Sequence, residues 1–104
     1  MAHRLSRQAE ADLDDIWLYV ATRSGSLDIA DRFIDSITER FYLLSLSPHI
    51  GRRRDHDLRP SLRTFPVGEY IIIYRTYGED VLILHVTRGS RNIQALFQYE
   101  KPDG

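Results

Sequence analysis

Side chains able to bind phosphate or move a proton gather in the second half of the chain. Arg75, His85, Arg88 and Arg91 lie within or just after two apolar runs, residues 70–75 and 81–88. Metal-free cleavage of RNA would need a base for the 2′-hydroxyl, cations for the phosphate charge and an acid for the leaving oxygen. The three arginines could supply the cations, and His85 one proton-transfer group. A second acid–base partner is not evident. The set offers phosphate binding more readily than a complete catalytic cycle, and a histidine on a half-covered strand is more often a core or surface-filling imidazole than a base.

Other clusters are weaker. Asp12 and Asp15 lie three apart and could share a cation, but no third ligand stands nearby, and acids are common in the first turns of helices, where the dipole favours them. The stretch HIGRRRDHDL places His49, Asp55, His56 and Asp57 around Arg52, Arg53 and Arg54 without any zinc-site spacing. It reads as a solvated loop, whose adjacent arginines could anchor a phosphate or a partner's carboxylates. There is no cysteine, glycine-rich phosphate loop, HExxH pattern or GxSxG elbow. Neither a metal nor another cofactor is expected.

The elements that carry these residues can be placed from periodicity. Residues 1–5 could form a short strand. Ser6 then has the character of a helix cap, after which Ala9, Leu13, Ile16, Trp17 and Val20 recur at helical spacing. Gly25 suits a left-handed helix end and Ser26 a second cap. Ala30, Phe33, Ile34, Ile37, Phe41 and Leu44 form the next stripe, and Pro48 ends it. So short a link requires an antiparallel helix hairpin. Residues 58–65 read as a strand with Pro60 at its start, and residues 66–68 as a turn. Residues 68–91 are the centre of the reading: a β-hairpin turning through residues 76–80, apolar on both faces and leaving through arginine. Residues 92–97 could add one helical turn, and residues 98–104 have the composition of a tail.

At 104 residues there is room for one domain, assigned to residues 1–97. No stretch reaches membrane-span length, and no signal peptide is recognised, so a cytoplasmic protein without membrane contact is expected. Net charge is −1, but acids predominate before Pro48 and arginines after it. That half could face nucleic acid or an acidic protein segment, or simply be a solvated surface.

The resulting class is α+β, in the order β-α-α-β-β-β, with the helix hairpin packed on a small, mainly antiparallel sheet. This order resembles the RelE/ParE superfamily of bacterial type II toxin–antitoxin toxins, and short motifs carry the likeness. They are Ser6-x-x-Ala9 with Leu13-x-x-Ile16-x-x-Tyr19, Pro48-x-x-Gly51, Leu62-Arg63 before Gly68-x-Tyr70, Ile73-Tyr74-Arg75, and Val86-x-Arg88-Gly89-x-Arg91-Asn92-Ile93. The resemblance implies one of two activities. RelE-like members are ribosome-dependent mRNA endoribonucleases, whereas ParE-like members poison DNA gyrase and are not known to hydrolyse anything. The nuclease branch has an arginine directly after the strand tyrosine, where this chain has Ile71, and another at the position of Gly89. Its tyrosine or histidine–tyrosine pair falls near Ala95, Leu96 and Phe97, with Tyr99 close by. The ending is ParE-like, with Arg88 near the place of that branch's common histidine. The resemblance therefore implies a non-enzymatic gyrase inhibitor, neutralised by a cognate antitoxin in a hetero-oligomer. Its target contacts would be Arg63, Arg75, Arg88 and Arg91, and its antitoxin contacts Trp17, Tyr19, Tyr42 and Leu43. The alternatives are a RelE-like ribonuclease using Arg75, His85, Arg88 and Arg91, or a toxin fold that has lost toxicity.

Overall fold

In the computed structural model, residues 2–54 and 61–89 are described. Strand β1 (His3–Leu5) leads into helix α1 (Arg7–Ser24), followed by helix α2 (Leu27–Leu46) and a single 3-10 turn (Pro48–Ile50). Four strands follow: β2 (Arg52–Arg53), β3 (Arg63–Val67), β4 (Tyr70–Tyr77) and β5 (Asp80–Arg88). They form one sheet in the order β1-β5-β4-β3-β2, antiparallel throughout except for β1 beside β5.

The helix boundaries follow from their caps. Ser6 Oγ accepts from the Ala9 N–H at 3.0 Å, and Ser26 Oγ from Ile29 at 3.1 Å. Gly25 adopts φ +70° and returns its N–H to Ala21, so two residues suffice to reverse the chain. Both helices cover one sheet face, where Ala9, Ile16, Ile37, Phe41 and Leu44 meet Tyr70, Ile72, Tyr74, Val81, Ile83 and Val86. The opposite face has a smaller cluster of Leu62 and Ile73 with Ile71 and Leu84. β4 is therefore apolar on both sides because it is packed on both sides.

Several boundaries differ from expectation. Pro66 and Val67 belong to β3, and the turn is Gly68-Glu69. β2 pairs only with Arg63 and Thr64, so at Pro66 the outer edge of β3 has no strand beside it and the missing N–H leaves no gap in the ladder. The β4–β5 turn is the two-residue Gly78-Glu79 rather than a five-residue segment, because Thr76, Tyr77 and Asp80 join the ladder. Gly68 and Gly78 have φ +58° and +64°, the positive value that a type II′ hairpin turn needs at its first central residue. Residues read as loop supply the 3-10 turn and β2. β5 also contains a bulge: Ile73 faces His85 but Tyr74 faces Ile83, so Leu84 is extra. Strict alternation is lost there, and Ile83 and Val86 enter the same core cluster. The start of the expected strand at 58–60, the helical turn at 92–97 and the tail at 98–104 lie outside the described residues.

Candidate functional site

The bulge sits where α1 meets an edge of the sheet. β1 covers β5 only as far as Ile83, and beyond it polar side chains of α1 take over the pairing. Ser6 Oγ donates to the Leu84 carbonyl at 2.9 Å, and Asp12 Oδ2 accepts the Val86 N–H at 3.0 Å. Asp12 Oδ1 accepts from Gln8 Nε2 at 2.8 Å. His85 Nδ1 lies 3.6 Å from Asp12 Oδ2, too long for a good hydrogen bond, so the contact is electrostatic when the imidazole is protonated. Burial raises the Asp12 carboxyl, but His85, the Val86 N–H and Gln8 together outweigh it and hold the pKa below the ordinary carboxylate value. His85 is only 5% exposed. Among the described residues no three histidine, aspartate or glutamate side chains converge to hold a metal. His56, Asp55 and Asp57 lie outside them.

One turn further along α1 the surface opens into a groove of about 460 Å³ between the helix and the end of β5. Ile16 and Val86 are its apolar lining, Asp12 and Asp15 contribute acids, and Tyr19, Tyr70 and Arg88 complete it. The Arg88 guanidinium lies 4.9 Å from the Tyr19 ring centre and 5.8 Å from that of Tyr70. Tyr19, and after it Tyr70, push its already high pKa further up, so it is a fixed cation. Glu69 Oε1 reaches it only at 4.0 Å.

The other arginines have different surroundings. Arg63 donates to the carbonyls of Gly51 at 2.9 Å and His49 at 3.3 Å. It braces the 3-10 turn from the sheet. The buried Tyr74 hydroxyl completes that brace, accepting from the Gly51 N–H at 2.9 Å and donating to the Pro48 carbonyl at 2.7 Å. Burial pushes the phenol up, against the opposing effects of Gly51 and Arg63, so it remains a donor. Arg75 stands over the Tyr77 ring at 5.5 Å, near the opposite end of the hairpin. The ladder pairs Arg75 with Leu82 and Arg88 with Tyr70, which separates the two arginines by roughly 20 Å. Arg75, His85 and Arg88 are therefore not gathered into one cleft, and Arg91 lies outside the described residues.

Ile71 and Gly89 are neighbours. A Cβ on Gly89 would meet Ile71 Cδ1 at 3.2 Å, and the Gly89 N–H donates to the Glu69 carbonyl at 2.9 Å. Neither position carries a charge, and Ile71 leaves little room for any side chain at Gly89.

Of the aromatic positions on the helices, Trp17 is half-buried and donates Nε1 to Asp31 at 2.8 Å. Tyr42, Leu43 and Tyr19 are exposed, as are Leu27, Ile29 and Leu46 on α2. The meeting of Tyr19, Tyr70 and Arg88 was not legible from spacing, since it depends on how α1 lies across β5.

The family described as ParE toxin of type II toxin-antitoxin system, parDE, matches residues 4–93. The chain is 39% identical over 90 residues to Toxin ParE3 of Caulobacter vibrioides, covering 86% of this chain and 88% of that protein. It is 30% identical over 82 residues to Toxin RelE3 of the same organism, covering 79% and 87%. Among solved structures it resembles a chain of the chromosomal ParDE TA system from P. aeruginosa, with a TM-score of 0.73 and 26% identity over 85% of this chain and 95% of that one. Five strands, two helices and their order agree with that likeness. The match across most of its length shows that the chain belongs to the ParE toxins of type II toxin–antitoxin systems.

Proposed function

We propose that this protein inhibits DNA gyrase by binding it, without hydrolysing anything, and that a cognate antitoxin holds it inactive in a hetero-oligomeric complex in the cytoplasm. The observation that carries the non-enzymatic part is the absence of charge at Ile71 and Gly89, where the nuclease branch is expected to have two cations and where Ile71 crowds any side chain at Gly89. Burial of His85 and the separation of Arg75 from Arg88 support it. Arg63 serves the chain's own carbonyls, so Arg75, Arg88 and Arg91 are the better candidates for target contact. Tyr19, Tyr42 and Leu43 are better exposed for the antitoxin than Trp17. Purified protein is expected to block ATP-dependent supercoiling of relaxed plasmid by gyrase; undiminished supercoiling at large molar excess overturns the proposal.

The likeness to Toxin RelE3 favours testing a second reading, ribosome-dependent mRNA cleavage through Arg75, His85, Arg88 and Arg91. Cleavage of ribosome-bound mRNA that disappears in the Arg88→Ala, Arg91→Ala double variant would establish it. Normal growth on expression without antitoxin would point to a fold that has kept its binding but lost its toxicity.

A further inference from the structure

The groove beside α1 sets one cation, Arg88, beside two acids, Asp12 and Asp15. Arg88 projects into it with its guanidinium placed against two tyrosine rings, so much of the entropy of fixing a long side chain is already spent. Its carboxylate contact among the described residues is Glu69, 4.0 Å away and 83% exposed, a pair of little strength. Ile16 and Val86 form the groove's buried floor, Tyr19 is its exposed apolar wall, and Asp15 lies on the helix side. Asp12 and Asp15 would repel a polyanion such as a nucleic-acid backbone, whereas a single carboxylate reaching Arg88 from a peptide avoids them.

We propose that this groove takes one Asp or Glu side chain of the cognate antitoxin, its carboxylate on Arg88 between Tyr19 and Tyr70. The inference rests on the antitoxin reading above and names the chemistry of its contact. Docking would exclude water from the guanidinium, which turns a pair that is weak at the surface into one that governs dissociation. Asp15 sets the polarity of the segment: the residue that passes it is neutral or basic, and a second acid there is disfavoured.

The test is titration calorimetry of the purified protein with the product of the adjoining reading frame. It uses the wild type, Arg88→Ala, Arg88→Lys and Tyr19→Ala, and antitoxin variants with each Asp or Glu changed to Asn or Gln. Arg88→Ala is expected to weaken binding about 10- to 100-fold, the range for a lost charge-assisted hydrogen-bonded pair. Arg88→Lys is expected to recover only part of it, and Tyr19→Ala to weaken binding less than Arg88→Ala. One antitoxin carboxylate is expected to give the same loss when neutralised, and no further loss in the Arg88→Ala background. Wild-type binding with Arg88→Ala within about twofold, or losses additive with every antitoxin acid, overturns the groove assignment and leaves the antitoxin reading standing. A wild-type protein that does not bind the product at all overturns both. Circular dichroism establishes that each variant is folded; should Arg88→Ala not fold, Arg88→Lys and Tyr19→Ala decide by the same criteria.

Discussion

Gly51 and Tyr74 stand 23 residues apart in sequence and are joined by a buried hydrogen bond. A Cβ on Gly51 would overlap the Tyr74 hydroxyl and come within 2.7 Å of ring atom Cε1. Gly51→Ala is therefore expected to lower stability by about 1–3 kcal/mol, as overpacking does, which a urea midpoint would measure. Tyr74→Phe leaves the room but takes away the partner of the Gly51 N–H, at a cost of about 1–3 kcal/mol. Equal stability of Tyr74→Phe and wild type would show that water replaces the phenol. Asp12 gives a pH dependence with a definite sign. Its folded pKa lies below the 3.8 of an unperturbed carboxyl, so the unfolded chain takes up the proton first as pH falls. Its stabilisation is whole above that value and fades as pH drops through the folded pKa. Asp12→Asn is expected to flatten this part of the acid limb in urea titrations below pH 3.8, and an unchanged limb would contradict it. Neither contact was legible in the sequence. By position Asp12 is an acid suited to a helix start, yet its oxygen is committed to Val86, 74 residues away. Spacing along the chain carries no sign of such a pair.

At the scale of elements, the helices and the central hairpin were legible because their signals are local. Ser6, Gly25 and Ser26 fix three helix ends, and Tyr70, Ile72 and Tyr74 share a face as period two requires. The bulge was not legible, since Val81, Leu82, Ile83 and Leu84 are all apolar and nothing in their order says which one is extra. Its effect is to re-aim the end of β5 so that α1 can satisfy the edge. Ser6 serves two elements at once, capping α1 at Ala9 and donating to Leu84. Ser6→Ala is expected to cost about 1–2 kcal/mol, more than a cap with no second partner such as Ser26. A comparison of the two alanine variants by thermal unfolding checks this, and equal losses would deny the second role. The short strand β2 escaped the reading because a two-residue pairing leaves no periodicity to detect.

Over the whole molecule, apolar residues are divided between a closed core and an exposed cluster at the C-terminal end of α2, formed by Tyr42, Leu43 and Leu46. Adjacent exposed apolar residues of this kind suit an interaction surface. A partner that binds it only in the folded state raises apparent stability by about 2.7 kcal/mol at a hundredfold excess over Kd. The proposed antitoxin is thus expected to raise the melting temperature in a concentration-dependent manner. A melting temperature indifferent to saturating antitoxin would count against binding to the folded state. The placement of β5 bears on how the molecule comes into being. It follows every other described element in sequence, yet it lies inside the sheet between β1 and β4, and the Val81 N–H reaches back to the Ala2 carbonyl at 3.0 Å. Neither helix can bury its apolar stripe on a finished surface until this strand has been synthesised, and the contacts that close the sheet span most of the chain. Long-range closure of this kind slows folding. A nascent chain that has reached only Tyr77 is expected to remain protease-sensitive, so the toxin fold would close only once β5 had been translated.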